Sequence, residues 1–221
     1  MNEVDLIGVS KDYGSYKALD NISVAFRKEK ITVIIGRSGS GKSTLLKSIN
    51  GLIQPTSGQV LVSGQSNIQR HRIGYVIQGN GLFPHMTVSG NISLPGRLVN
   101  KPDPSRVSEL LSFADLPLEY AQKYPWQLSG GEQQRVALCR ALFLNPPVLL
   151  MDEPFGSLDP FTRRDLQGKL LELREAFKLT MIIVTHDLPE AIRLADDILV
   201  LEGGRVQKFG PARSLEKELL N

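Results

Sequence analysis

Ile31-Thr32-Val33-Ile34-Ile35-Gly36-Arg37-Ser38-Gly39-Ser40-Gly41-Lys42-Ser43 decides the fold. It opens with a continuous apolar run, the composition of a strand buried on both faces of a parallel sheet. From Gly36 onward it fits G-x-x-x-x-G-K-[ST] in full. The glycines let the backbone curl until several N–H groups point at one place. A helix expected from about Lys42 to Asn50 brings its positive end to the same place. Lys42 would reach β- and γ-phosphates there, and the Ser43 hydroxyl would bind Mg²⁺. A glycine-rich turn without a ligand needs neither the strand before it nor the helix after it.

Toward the N-terminus, Val4, Leu6 and Val9 alternate with polar residues, as do Ile22, Val24 and Phe26. That is the pattern of half-buried antiparallel strands. Tyr13-Gly14-Ser15-Tyr16 between them is turn-rich. After the loop, Gly51 ends the helix and Gln54 to Gly58 reads as a loop. Val60-Leu61-Val62 and Ile73 to Ile77 read as strands, the second closed by Gln78. Gly79 to Val88 is turn-rich yet carries Leu82, Phe83 and Met86, either a partner surface or residues that fold inward. Asn91 to Asn145 is helical, broken by Pro117 and Pro125, with one helix starting near Pro104-Ser105.

Val148-Leu149-Leu150-Met151 is a further buried strand, ending in Asp152-Glu153. A carboxylate at a strand's carboxyl end, beside the glycine loop, is where Mg²⁺ would be held, which suits Asp152. Glu153 is the candidate general base for a water attacking the γ-phosphate. A helix from Arg164 to Lys178 carries Leu166, Leu170, Leu173 and Phe177 on one face. Met181 to Thr185 is another buried strand, followed by His186-Asp187. Ile198 to Leu201 and Val206 to Phe209 flank a turn and read as a hairpin, and a short helix ends the chain.

The composition excludes several classes. The chain of 221 residues is long enough to bury a core. Its net charge of +3 is spread along the chain and favours a mixed solvated surface over a nucleic-acid stripe. No apolar run reaches a membrane span, and the N-terminus lacks the basic start and apolar core of a signal peptide. Cys139 is the only cysteine, so no internal disulfide forms. His71 and His85 have no metal-ligand spacing. Asn100-Lys101-Pro102-Asp103 matches N-K-x-D, which selects guanine when it ends a buried strand; here prolines flank it and no such strand precedes it.

Leu128-Ser129-Gly130-Gly131-Glu132 has two readings. Ser129 and Glu132 make a capping box, and the following helix puts Val136, Cys139, Leu142 and Phe143 on one face, with Gln133, Gln134 and Arg140 elsewhere. A helix N-terminus opened by Ser and two glycines is also an anion site. With the glycine loop before it and Asp152-Glu153 after it, this pentapeptide resembles the signature of the ATP-hydrolysing subunits of ATP-binding-cassette (ABC) transporters. The resemblance covers nearly all of the chain and continues through Gln133 to Leu138.

That resemblance implies an α/β fold: a P-loop NTPase core with an antiparallel β subdomain and a helical insert. The core would take about 1–82 and 147–221, and the insert about 83–146. It implies ATP and Mg²⁺ as cofactors. Tyr13 would stack on adenine, and Gly36, Ser38, Gly39, Ser40, Gly41, Lys42, Ser43 and Thr44 would hold the phosphates. Gln78 would contact Mg²⁺ and the attacking water, and His186 would sense the γ-phosphate. Ser129, Gly130 and Gly131 would close on ATP held by a second copy, with Asp159 of Ser157-Leu158-Asp159 at the dimer contact. Catalysis would then rest on Glu153, His186, Gln78 and Lys42, and the metal on Ser43, Gln78 and Asp152.

The same resemblance implies a membrane-spanning permease as partner, a substrate-binding protein in the same system, and a place at the cytoplasmic face of the membrane. No nucleic-acid partner is expected. Leu82 to Val88 and Phe155 to Pro160 with Thr162-Arg163 are similar to importer ATPases, most of all to those for glycine betaine, choline and related quaternary amines. Many of these carry a further regulatory domain after the cassette, and this chain stops at Asn221. Importers of amino acids or oxyanions stay open. So do a soluble ABC ATPase working on nucleic acid or ribosomes and a subunit that binds ATP with little turnover. Trp126 stands where such chains more often have His or a small residue.

Overall fold

Two long strands come first, β1 (Asn2–Tyr13) and β2 (Tyr16–Arg27), paired antiparallel so that Val4 faces Phe26, Leu6 faces Val24 and Val9 faces Ile22. The alternation in the sequence thus becomes cross-strand apolar pairs. With β4 (Ser57–Val62) they form a three-stranded sheet in the order β2-β1-β4. The computed structural model describes residues 2–219, apart from the side chain of Arg70.

The second sheet holds β3 (Ile31–Ile35), β5 (Ile73–Val76), β6 (Val148–Asp152), β7 (Thr180–Val184), β8 (Asp197–Glu202) and β9 (Arg205–Pro211), in the order β5-β6-β7-β3-β8-β9. All its pairs are parallel except β8–β9. Both faces are covered, which is why the central strands are apolar without a polar side. Ile34, Leu150, Ile182 and Leu199 face a core shared with helix α1 (Lys42–Ile49) and the antiparallel sheet. Val33, Leu149, Met151 and Ile183 face the opposite core. There they meet α2 (Val88–Leu98), α3 (Pro104–Phe113), α4 (Gly130–Leu142), α5 (Pro160–Phe177) and α6 (Leu188–Leu194). Ile182→Ala empties a fully enclosed position on β7. It is expected to lower stability by about 2–5 kcal/mol, read as a lower urea midpoint at unchanged slope.

Strands β3, β5, β6 and β7 all end at the same edge, because parallel strands share a direction. The glycine loop, Gln78, Glu153 and His186 follow those ends, and Asp152 closes β6. Ligands of open parallel sheets sit beyond such carboxyl ends.

Several local expectations shift. Strand β4 starts at Ser57, because Gly58 (φ +83°) lets the backbone lie on β1: a Cβ there would stand 2.2 Å from the Gly8 carbonyl oxygen. Helix α5 starts at Pro160, earlier than the expected Arg164, because Asp159 caps it by accepting from the N–H groups of Phe161 and Thr162. Helix α6 lies beyond the expected elements; Asp187 caps it. Gln134, expected away from the apolar face of α4, is buried. Asp103 caps α3 by accepting from Ser105 and Arg106 N–H, which gives the N-K-x-D stretch a structural use. The terminal helix α7 (Ala212–Leu219) forms, and the last two residues expected in it lie outside the described residues. Among the described residues no helix is long and apolar enough to cross a membrane.

Candidate functional site

A cavity of about 310 Å³ opens at the head of β3. Tyr13, Ser38, Gly39, Gly41, Lys42, Ser43, Thr44, Gln78 and Glu153 line it, so residues far apart in the chain meet there. Gly41 has φ +103°, and a Cβ on it would stand 2.5 Å from the Ala18 carbonyl oxygen. Only glycine fits that turn. At Gly36 a Cβ would meet the Leu201 carbonyl oxygen at 2.1 Å. The loop is thus packed against β2 and β8 on its inner side and faces the cavity with its outer side.

Lys42 is buried, and its Nζ donates to the carbonyls of Gly36 (2.8 Å) and Arg37 (2.9 Å). Burial pulls its pKa below the ordinary lysine value, partly offset by Glu153 and Asp152. Ser43 Oγ donates to Asp152 Oδ1 at 3.1 Å. Burial pushes the Asp152 carboxyl up, against the Ser43 hydrogen bond. Both charged forms are therefore disfavoured until counter-charge arrives. A polyphosphate would supply it to Lys42, and a divalent cation to Asp152. Ser40 Oγ is enclosed with no hydrogen-bond partner among the described residues. This donor set fits a nucleotide phosphate chain. Among the described residues no cluster of three or more His, Cys, Asp or Glu side chains could hold a metal alone. A Mg²⁺ would accordingly rest on Ser43, Asp152 and Gln78 together with phosphate and water oxygens, as this hard cation commonly does.

Glu153 has φ +47°, a left-handed conformation that a residue with a Cβ holds at a cost of about 1–3 kcal/mol. Its N–H donates to the Val184 carbonyl at 3.0 Å, which fixes the residue at the end of the sheet. The carboxylate accepts from Gln78 Nε2 at 3.4 Å and lies 3.5 Å from His186 Nδ1. Gln78, Glu153 and His186 thus converge from three strand ends on one point beside the cavity.

Ser129, Gly130, Gly131 and Asp159 do not line this cavity. Ser129 caps α4 with the full capping box, its Oγ accepting from Glu132 N–H while the Glu132 carboxylate accepts from Ser129 N–H. Ser129 and Gly131 line a separate depression with Thr162 and Asp165 of α5. Helix α4 is fastened to the segment after Gln78. Arg140 donates to the carbonyls of Gly81 (2.8 Å) and Asn80 (2.9 Å), and Asn80 Nδ2 donates to Gln133 Oε1 (3.1 Å).

Comparison with known proteins places this arrangement. A sequence model described as ABC transporter matches residues 19–156. The chain belongs to the ABC transporter family. It is 45% identical to the choline transport ATP-binding protein OpuBA of Bacillus subtilis over 215 residues, 93% of this chain and 56% of that protein. It is 43% identical to the sulfate/thiosulfate import ATP-binding protein CysA of Synechocystis, over 94% of this chain and 60% of that one. The chain therefore spans little more than half the length of these relatives. Among solved structures, the dimeric ATP-binding cassette MJ0796 bound to ADP and Pi superposes with a TM-score of 0.84 at 34% identity, covering 95% of this chain and 99% of that one.

The fold is accordingly the mixed α/β ABC cassette fold, with its antiparallel β subdomain. Two further cavity residues belong to no sequence motif. Tyr16 lines the cavity beside Tyr13 and donates from its hydroxyl to the Gly39 carbonyl at 3.1 Å. Ala18 lines it as well, and its carbonyl presses on Gly41. The Tyr13–Tyr16 turn held the signal for the first. Nothing local marked Ala18, which matters through its backbone. Phe83 and Trp126 are exposed, Trp126 stacked on Tyr124 with ring centroids 4.5 Å apart.

Proposed function

We propose that this cassette binds MgATP in the cavity at the head of β3, hydrolyses it, and drives solute import through a separate membrane-spanning permease. The meeting of Lys42, Ser43, Gln78 and Glu153 around one cavity, with His186 at its edge, carries the reading. Tyr13 stacks on the adenine. Lys42 and the loop N–H groups of Gly36 to Thr44 hold the phosphates, and Ser43, Gln78 and Asp152 hold Mg²⁺. Glu153 polarises the attacking water, with Gln78 and His186 aligning it on the γ-phosphate.

The separate exposure of Ser129 and Gly130, away from that cavity, supports a head-to-tail pair. Each copy's α4 N-terminus then completes the other copy's ATP site, with Asp159 at the contact. That MJ0796 is dimeric supports the same assembly. The chain would sit at the cytoplasmic face of the membrane through the permease, with a substrate-binding protein delivering the solute. Quaternary amines are the favoured solutes, on the likeness to OpuBA. CysA keeps sulfate-like oxyanions as the second reading.

Co-purification tests this. The tagged chain, taken from native membranes in mild detergent, is expected to bring a multi-span membrane protein identified by mass spectrometry. Recovery with ribosomes or nucleic acid and no membrane protein would overturn the transport assignment.

A further inference from the structure

Arg163 reaches two loops at once. It stands in the first turn of α5, and its Nη2 donates to the Leu158 carbonyl at 3.2 Å, in the Ser157-Leu158-Asp159 loop. On its other side, Nη1 lies 3.8 Å from Asp187 Oδ2 and Nε lies 3.5 Å from Glu190 Oε1. The Nε contact is an ion pair without hydrogen-bond alignment, since that enclosed nitrogen has no hydrogen-bond partner among the described residues. The guanidinium therefore sits between its partners instead of saturating one of them. A planar fork allows this and a lysine ammonium does not.

The loop on that far side is the one that carries His186. Glu190 is buried, and its Oε2 accepts from Thr185 Oγ1 at 2.6 Å. Thr185 Oγ1 in turn accepts from the Asp187 N–H at 3.1 Å, and Asp187 Oδ1 accepts from the Glu190 N–H at 3.0 Å. Both neighbours of His186 are thus held in one hydrogen-bonded ring, while the imidazole itself is exposed, 3.5 Å from Glu153. An exposed ion pair contributes little. A buried carboxylate such as Glu190 depends on a cation beside it, and Arg163 is that cation.

We propose that Arg163 is a positioning residue that ties the Leu158–Asp159 loop to the His186 loop, so that docking of a second copy on the first sets the imidazole of the second. This rests on the roles proposed above for Asp159 and His186. The side chain lines a depression between α5 and α6 and is not part of the cavity at the head of β3.

A double-mutant cycle on the full chain tests it, with kcat, KM, ATP affinity and thermal midpoint measured for Arg163→Ala, His186→Ala and the pair. Arg163→Ala is expected to lower kcat by on the order of 10- to 100-fold, the range for a misplaced reacting group, with ATP affinity unchanged. In the His186→Ala background it is expected to change kcat no further, because the two act as a unit. A purely structural role would move the thermal midpoint and leave the two kcat effects multiplicative, which overturns the inference. Should Arg163→Ala not fold, Asp187→Asn replaces it in the cycle, since the amide keeps an acceptor for Glu190 N–H and loses the ion pair. A full rate in His186→Ala would remove the underlying assignment and the inference with it. A loss in His186→Ala beside a full rate in Arg163→Ala would remove only the inference.

Discussion

Glu153→Gln is expected to hydrolyse ATP about 10²–10⁴-fold more slowly than the parent, the usual contribution of a positioned general base, while ATP still binds and dimers accumulate. The amide keeps the shape of the carboxylate, so Gln78 and His186 retain a partner of the same reach. The left-handed backbone at this position (φ +47°) is no worse for glutamine than for glutamate. What changes is charge and basicity. Glu153 is one of the groups pushing the Asp152 carboxyl upward, so its neutralisation eases ionisation of Asp152 and with it the uptake of Mg²⁺. Binding should therefore be equal or tighter. Phosphate release at saturating ATP gives the rate, and sedimentation velocity with and without MgATP gives the dimer. Near-parental turnover would remove Glu153 from the chemistry. Slow turnover without dimers would point to a damaged fold.

The legibility of this chain follows from where each kind of information resides. Strand β3, the glycine loop and α1 could be read to within a residue, because a buried parallel strand and a phosphate loop are both local patterns. The β1–β2 alternation was equally local. The capping box at Ser129 was read correctly as a cap, and the cap is what the single chain displays. The anion-site role proposed for it involves a second copy, which lies outside the geometry of one chain. The misses have a common cause. Gln134 is polar and buried because tertiary packing overrides the face expected from periodicity. Ala18 shapes the cavity through a carbonyl, and the role proposed for Arg163 rests on distances to the Leu158 carbonyl and to Asp187 and Glu190 at the start of α6; composition carries neither. Helix α6 is one short element of seven residues, and its start signal, Asp187 before Leu188-Pro189, directly follows His186.

Gly130→Asp separates the two readings of the signature stretch by acting on them in opposite directions. Within one chain the substitution is harmless: a Cβ at Gly130 meets nothing within 4 Å and the residue is not in the left-handed region. A carboxylate in the first turn of α4 also suits the helix dipole, adding roughly 0.3–1 kcal/mol. The thermal midpoint is thus expected to hold or rise slightly. Gly131 would be a poor choice for the same purpose, because a Cβ there would run into Thr162 Cγ2 at 2.3 Å and mix packing loss with any loss of function. In the proposed dimer, however, this N-terminus faces the γ-phosphate held by the other copy. A like charge about 4 Å away costs on the order of 4 kcal/mol at the effective dielectric of a protein surface. With one such contact at each of the two ATP sites of the pair, association is expected to weaken by at least about 10³-fold. In the Glu153→Gln background, where dimers are expected to accumulate, Gly130→Asp is expected to leave monomers that still bind ATP, because Gly130 does not line the chain's own cavity. The uncharged Gly130→Asn should fall between the two, with the difference from Asp shrinking as salt is raised. Dimers that persist in Gly130→Asp at low salt would mean that α4 opens on solvent, and the capping box alone would then account for Ser129 and Glu132.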